Sequence, residues 1–150
     1  MRRRLLNFTV DLPASWSDIT RELPGDAPPT IAKRRGVGAL QFSQAEFEGG
    51  PPERLGADDL LEMVKGIARS ADRYIAFDES TISRPGICVG AVSLALDGNF
   101  VRVWGVSDGE GVVVATYTCG WRERRPAEVA ECARVVESIR IVAPLIVGIA

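Results

Sequence analysis

The chain contains no histidine, and this absence removes several classes of enzyme from consideration. The serine and cysteine nucleophiles of common hydrolases depend on an imidazole base, and many zinc sites depend on imidazole ligands. Any chemistry would have to come from carboxylates, thiols or hydroxyls. The composition therefore excludes a Ser-His-Asp or Cys-His active site and a histidine-ligated metal centre.

Cysteine is also scarce. Cys88, Cys119 and Cys132 are odd in number, widely spaced and never arranged as Cys-x-x-Cys. Such a set indicates neither a disulfide framework nor a zinc ribbon. We expect buried free thiols in a reducing compartment.

Long apolar runs are missing as well. After the basic start at residues 1–4, Asn7 interrupts the apolar stretch too early for a signal peptide. The apolar tail, residues 141–150, has ten residues and is too short to span a bilayer. We therefore expect a cytoplasmic protein without membrane insertion, in which the tail is an extra packed segment or a partner contact.

What the chain does contain is ordinary for a soluble domain, with 46% hydrophobic and 25% charged residues. A length of 150 residues predicts one domain, 1–150. The net charge of −2 argues against nucleic acid as a partner, because such binding needs a basic surface.

The first half of the chain predicts two strands and a helix. Alternating apolar and polar residues indicate a strand from Leu5 to Leu12 with one buried face. Residues 21–37 lose this periodicity, are rich in Pro and Gly, and predict a long loop. A second strand is expected over 38–48 and a helix over 57–71, with apolar residues at helical spacing.

The second half predicts a meander followed by a helix. Asp-Gly pairs at 97–98 and 108–109 lie between β-rich runs, which is a strong hairpin signal. A helix begins near Pro126, since proline suits the first helical position. The expected strands cover 74–83, 87–96, 100–107 and 112–119. The order β-β-α-β-β-β-β-α predicts an α+β fold, in which two main helices pack on a single antiparallel sheet of about six strands.

Two details of the helices follow from the same patterns. We expect Ile67 in the buried stripe of the first helix and Met63 at its rim. Acidic residues at both helix starts, including Glu128, are interpreted as partners of the helix dipole.

Motifs for catalysis and cofactor binding are absent from the sequence. Gly36-Val37-Gly38 follows a loop rather than a strand and opens no helix, so it does not fit a dinucleotide-binding turn. There is no P-loop sequence and no Gly-x-Ser-x-Gly. We expect no cofactor, metal or catalytic residue. The alternative is a small-molecule binder or carboxylate-dependent enzyme using a cavity between sheet and helix, and its candidate acids are Glu46, Glu48, Asp78 and Glu79.

Arginine is abundant, and its clusters suggest a binding surface. Only two lysines stand among the 18 basic residues. Basic residues occupy 33–35 on the long loop, and three arginines surround Trp121 ahead of the last helix. Arginine beside an exposed tryptophan is typical of an interface hot spot, although a solvated turn with Trp121 over the helix is also compatible.

Trp104 alternates with Arg102 on a predicted strand, opposite Val101 and Val103. Either helices cover both faces of the sheet, or this face binds a partner. The candidate partner-binding residues are Arg34, Arg35, Arg102, Trp104, Trp121, Arg122 and Arg124.

A family resemblance accompanies these patterns. The sequence FTVDLPASWSDIT at 8–20 resembles the strand-Pro-x-x-Trp start of PsbP-like and Ran-binding Mog-type domains, including bacterial relatives that act as type VI secretion effector chaperones. EVAECARVVESIRI at 128–141 is similar to the final helix of those domains. The resemblance implies an antiparallel sheet with flanking helices and a function in protein binding. The basic loop at 24–36 and the apolar tail depart from that family.

The segments GVGALQFS at 36–43 and VRVWGVSDGEGVVVATYTCGW at 101–121 also resemble small immunity partners of polymorphic toxins. We therefore expect a non-catalytic protein-binding domain, a bacterial immunity protein or an effector adaptor or chaperone. Its partner would be a toxin or secreted effector. A homodimer formed through an edge strand or the apolar tail is a further alternative.

Overall fold

The computed structural model describes residues 1–45, 55–71, 73–109 and 111–142. Two helices, α1 (Ala57–Arg69) and α2 (Pro126–Glu137), accompany ten strands. The strands are β1 (Arg2–Leu5), β2 (Phe8–Asp11), β3 (Trp16–Asp18), β4 (Thr30–Lys33), β5 (Gly38–Gln44), β6 (Tyr74–Arg84), β7 (Ile87–Leu96), β8 (Asn99–Ser107), β9 (Val112–Gly120) and β10 (Arg140–Ile141).

Seven strands form an antiparallel sheet in the order β3-β4-β5-β9-β8-β7-β6. This sheet and the two helices confirm the predicted α+β class. Unlike the single sheet expected from the sequence, the described residues form a second sheet of three strands, β1-β2-β10. Strand β10 pairs with the N-terminal hairpin, through Arg140 with Thr9 and through Ile141, the first residue of the predicted apolar tail, with Phe8.

The N-terminal segment forms a hairpin, so the prediction of one strand from Leu5 to Leu12 was wrong. Strands β1 and β2 pair around a turn at Leu6-Asn7, and Leu6 is 56% exposed. Phe8, Val10 and Leu12 are buried together, as the alternation predicted. The turn was missed because it contains neither Gly nor Pro, and the alternating pattern continues across it.

The segment 21–37 is not wholly loop. It contains β4, which pairs with both β3 and β5 in the seven-stranded sheet. A four-residue strand between Pro28-Pro29 and Arg34-Arg35-Gly36 is too short to show periodicity. Strand β5 ends at Gln44, and Glu46 and Glu48, which the sequence assigned to it, lie outside the described residues.

Helix α1 covers one face of the sheet. Val64 and Ala68 pack against Val92, Leu94, Val101 and Val103. The helix approaches β7 so closely that a Cβ on Gly90 would lie 2.7 Å from the backbone carbon of Leu60. Ile67 is 44% exposed, so its predicted place in the buried stripe was wrong, whereas Met63 does pack at the rim.

Helix α2 and the β1–β2 hairpin cover the other face. Phe8, Phe42, Tyr117, Val136 and Ile139 are fully or almost fully buried there. Arg102 and Trp104 project to this side, opposite Val101 and Val103, as the alternation predicted. Both faces of the sheet are therefore covered over β8.

The two Asp-Gly turns form as predicted. Asp97 and Gly98 both have positive φ, at 49° and 78°, which matches the tight hairpin turn between β7 and β8. Gly109 has a φ of 99° between β8 and β9. The three cysteines are free thiols as expected; Cys119 and Cys132 are buried, whereas Cys88, also expected to be buried, is partly exposed. Within the described ranges, no helix combines the length and apolarity that crossing a membrane requires.

A candidate protein-binding surface

Two loops from distant parts of the sequence meet at the beginning of α2. One is the turn between β4 and β5, which carries Arg34 and Arg35, and the other is the connection from β9 to α2, which carries Arg122, Arg124 and Arg125. The Arg125 guanidinium donates a hydrogen bond to the Arg35 carbonyl at 3.0 Å. The structure thus brings together the two basic clusters that the sequence singled out.

Trp121 anchors the second loop. Its half-buried ring lies 5.9 Å from Phe77 in an edge-on arrangement and 6.3 Å from Phe100. The Arg124 guanidinium lies 3.8 Å from the centre of the Trp121 ring and also donates to the Trp121 carbonyl at 3.0 Å. This stacking holds a cation at the surface in a fixed position.

We call this surface the arginine–tryptophan rim. Its residues are Arg34, Arg35, Trp121, Arg122, Arg124 and Arg125. All five arginines are exposed, and among the described residues none has a carboxylate within 4.0 Å. Two exposed carboxylates lie nearby: Glu123 stands between Arg122 and Arg124 in the chain, and Asp97 precedes Gly98, whose carbonyl accepts a hydrogen bond from the Trp121 amide at 2.9 Å. Within the described part of the chain, no ion pair therefore neutralises the guanidinium groups that the rim presents.

A buried carboxylate holds the two loops together. Glu128, in the first turn of α2, is 1% exposed. It accepts hydrogen bonds from the backbone amides of Val37 and Gly38 at 3.2 Å, and a short one from the Tyr117 hydroxyl. Burial and the bond to Glu128 raise the pKa of Tyr117 far above its ordinary value, so the hydroxyl stays a donor.

The Gly36-Val37-Gly38 sequence allows this close approach. A Cβ on Gly36 would lie 2.7 Å from Glu128 Oε1, and one on Gly38 would lie 2.5 Å from the Thr118 carbonyl oxygen. The glycines therefore give a side-chain carboxylate access to the backbone. The sequence did not reveal this role of Glu128, because the residue was interpreted as a partner of the helix dipole. The available signal was the pair of glycines, Gly36 and Gly38, that flank Val37 beside the basic turn.

A second carboxylate of α2 ties the helix to β3 and β4. Glu131 accepts hydrogen bonds from the Lys33 ammonium and the Trp16 indole, both at 2.7 Å. These two bonds, that from Lys33 foremost, hold the pKa of Glu131 below its ordinary value. Lys33, which the sequence grouped with the basic loop, is thus engaged beneath the rim.

The buried thiols are poor nucleophiles. Burial raises the pKa of both Cys119 and Cys132, which favours the thiol over the reactive thiolate.

Arg102 and Trp104, both proposed partner contacts, lie inside the molecule, at 9% and 3% exposed. The Arg102 guanidinium donates to the Asp78 carbonyl at 2.9 Å, Ser93 Oγ at 2.7 Å and Ser80 Oγ at 2.9 Å. These bonds brace a β-bulge in β6 between Phe77 and Ser80. In this conformation, the two residues support the surface from beneath and cannot contact a partner directly.

Two carboxylates of the enzymatic alternative, Asp78 and Glu79, can be placed in the described part of the chain. Asp78 and Glu79 are exposed and lie within 4.0 Å of Arg102 and Lys65 respectively. The described residues form surface cavities of about 200 to 390 Å³, and neither acid lines any of four such cavities. Glu46 and Glu48 lie outside the described ranges. Within these ranges, no three side chains of metal-ligating type gather at one point.

Comparison with known proteins gives matches in structure alone. No protein-family model and no curated protein sequence matches the chain. Cyanobacterial PsbP (CyanoP) from Synechocystis sp. PCC 6803 has a similar structure, with a TM-score of 0.54 and 10% identity over 94% of this chain and 91% of that one. The Ran-binding protein Mog1p of Saccharomyces cerevisiae gives a TM-score of 0.53 and 10% identity over 95% and 96%.

A Bacteroides thetaiotaomicron VPI-5482 protein gives a TM-score of 0.56 with 10% identity. The match covers 92% of this chain but only 46% of that protein, so the chain spans about half of its length. The two full-length matches agree with the resemblance in the first strand and last helix. The chain has the fold shared by PsbP-like and Mog-type proteins.

Proposed function

We propose that this protein is a protein-binding domain whose arginine–tryptophan rim binds an acidic surface of a partner protein. One observation carries the proposal: five exposed arginines lie on two adjoining loops, with Arg124 stacked on Trp121 and Arg125 bonded to the Arg35 carbonyl, and none of the five has a carboxylate within 4.0 Å among the described residues. Guanidinium groups of this kind form bidentate hydrogen bonds with carboxylates. The partner would supply the missing negative charge.

The composition and rigidity of the rim support binding to a protein. Arginine and tryptophan are the residue types most enriched in interface hot spots. Trp121 is fixed by Phe77, and the Glu128 hydrogen bonds fix the turn that carries Arg34 and Arg35. Mog1p, which has this fold, is a Ran-binding protein, so the fold is compatible with protein binding.

The finer proposal is that the protein acts in the bacterial cytoplasm as an immunity protein or as an adaptor or chaperone of a secreted effector. Its partner would be a toxin or an effector with an acidic contact surface. This assignment rests on the sequence resemblances at 8–20, 36–43, 101–121 and 128–141.

The test begins with capture of bound proteins from the native host, followed by calorimetry with the purified partner. Arg35→Glu and Arg122→Glu reverse one charge on each loop of the rim. Each variant should weaken binding by at least about tenfold, because the introduced glutamate would repel the acidic partner. Arg21→Glu is the control, since Arg21 is also exposed but lies beyond the opposite end of β4.

Increasing salt should weaken the wild-type complex and have less effect on the two reversed variants. Equal effects of Arg21→Glu and Arg122→Glu would contradict the assigned surface. Failure to capture any stoichiometric partner would contradict the function.

A further inference from the structure

Among the described residues, the sheet face that α2 covers remains open near its β6 edge. Helix α2 packs against β8 and β9, and β6 is the last strand on that side. Ile75 and Phe77 share this face of β6, since they are two residues apart and pair with Ala95 and Ser93 of β7. Ile75 is 70% exposed, while Phe77 is half-buried. An isoleucine this exposed on a sheet face leaves apolar surface available for burial.

The open face continues directly into the rim. The Phe77 ring packs against Trp121, which in turn carries the Arg124 guanidinium. We call Ile75, Phe77 and Trp121 the apolar strip. The exposed Arg73 precedes the strip in the chain, and it too has no carboxylate within 4.0 Å among the described residues. An apolar centre bordered by guanidinium groups has the layout of an interface core with a charged edge.

We propose that the apolar strip is the anchor site of the interface and takes one apolar side chain from an acidic segment of the partner protein. This inference rests on the proposed function and names the partner chemistry at the same surface. Ile75 and Phe77 lie about 7 Å apart along the strand, which leaves room for a single side chain between them. Acidic residues on either side of that side chain would face Arg73 and Arg124.

The charges around the strip favour such a segment over a second copy of this chain. Two copies meeting strip to strip would bring Arg73 and Arg124 of each molecule close to those of the other, which is unfavourable. Two nearby acids are not paired with these arginines: Asp78 lies 3.7 Å from Arg102, and among the described residues Asp97 has no arginine within 4.0 Å. The middle of the β6 edge is also bulged and carries Asp78 and Glu79, which opposes strand pairing between copies.

The experiment uses short synthetic peptides labelled for fluorescence anisotropy. One peptide is acidic with a single central leucine, a second is acidic with serine in its place, and a third is basic with the leucine. Each is titrated with the wild-type protein and with the Ile75→Ser and Ile67→Ser variants. Ile67 is the matched control because it is also an exposed isoleucine but lies on α1, on the opposite side of the sheet.

The acidic leucine peptide should bind the wild-type protein at least about tenfold more tightly than either other peptide. Ile75→Ser should lose about tenfold in affinity for this peptide, the cost of one buried isoleucine, while Ile67→Ser should match the wild type. Circular dichroism should show that both variants fold, since both side chains are exposed.

Three results would overturn the anchor site. The wild type and Ile75→Ser could bind the acidic leucine peptide equally, both variants could lose the same affinity, or the serine and leucine peptides could bind equally. Binding of the captured partner to the variants distinguishes a failure of the anchor site from a failure of the proposed function. If Arg122→Glu loses partner binding and Ile75→Ser does not, the result supports the rim as the binding surface and contradicts the apolar strip as its anchor site. Loss in Ile75→Ser without any effect of Arg35→Glu or Arg122→Glu would remove the acidic-surface proposal instead.

Discussion

Glu128 shows how a buried carboxylate can be stabilised by neutral donors. The amides of Val37 and Gly38 and the Tyr117 hydroxyl bind its two oxygens, and the first turn of α2 adds the favourable end of a helix dipole. Charge-assisted hydrogen bonds of this kind are stronger than neutral ones. Glu128 therefore joins α2, β9 and the β4–β5 turn, and it fixes the position of Arg34 and Arg35 from beneath.

Removing the Tyr117 hydroxyl should cost stability, because it leaves the buried Glu128 carboxylate with one donor fewer. We expect Tyr117→Phe to lower the free energy of unfolding by about 2 kcal/mol, the size of a hydrogen bond to a charged group. Denaturant unfolding measures this change. Tyr74→Phe is the control, since the Tyr74 hydroxyl makes no hydrogen bond with the described residues. Equal losses in both variants would contradict the role of the Glu128 contact.

Arg35 adopts a φ of 58°, which is strained for a non-glycine residue. Arg35→Asn should raise the free energy of unfolding by about 0.5 to 1 kcal/mol, because asparagine enters this region at lower cost. The same variant should weaken partner binding, since a rim guanidinium is lost. Thermal unfolding and calorimetry measure the two effects. Arg34→Asn should weaken binding without any gain in stability, and a gain of equal size there would contradict the strain argument.

At the scale of elements, the contact of α1 with the sheet depends on a missing side chain. Gly90→Ala would push a methyl group into the backbone of Leu60 and Leu61, so α1 would have to move away from β7. We expect a loss of about 3 kcal/mol in the free energy of unfolding, as in other overpacked cores. Gly66→Ala is the matched control on α1, because a Cβ at this position would have no atom within 4 Å. This variant should raise the free energy of unfolding by about 0.5 to 1 kcal/mol. A destabilising Gly66→Ala or a neutral Gly90→Ala would contradict this packing.

The attachment of α2 to β3 and β4 should weaken in acid. The pKa of Glu131 is lowered by Lys33 and Trp16 from its ordinary value of 4.5. A carboxylate with a lowered pKa contributes its full stability above about pH 4.5 and loses it as the pH falls through the folded-state pKa. Unfolding free energies measured between about pH 6 and pH 3 should therefore fall less steeply in Glu131→Gln than in the wild type. Parallel curves for the two proteins would contradict the assignment.

Strong local signals made most elements predictable. Strands β6 to β9 are joined by one Pro-Gly and two Asp-Gly turns, whose geometry is set by a few residues, and α2 begins at Pro126. The hairpin at Leu6-Asn7 and strand β4 lack such signals and form because the surrounding sheet pairs with them. Their existence depends on tertiary contacts that a local pattern does not contain.

At the scale of the whole molecule, a small net charge conceals an uneven distribution. The chain carries −2 overall, yet five exposed arginines gather at one end of the sheet beside the apolar strip. Such a local field speeds association with an oppositely charged protein and orients it during approach. The proposed interface thus lies at one end of the molecule, and the α1 face lies outside it.

The candidate surface was predictable in part. The rim arginines and Trp121 were identified from clustering along the sequence. Arg102 and Trp104 were assigned to the correct face, but their cover comes from the N-terminal hairpin and α2, which are distant in sequence. Ile75 and Phe77 were not singled out, because a strand with exposed apolar residues resembles any edge strand until its neighbours are known.

The most direct test of the central claim is hydrogen–deuterium exchange of the purified complex with its captured partner, compared with the free protein. The account predicts slower amide exchange in residues 34–38, 73–77 and 121–125 on binding, with unchanged exchange in α1. Protection centred on α1, with no change in those three segments, would contradict the assignment of the binding surface.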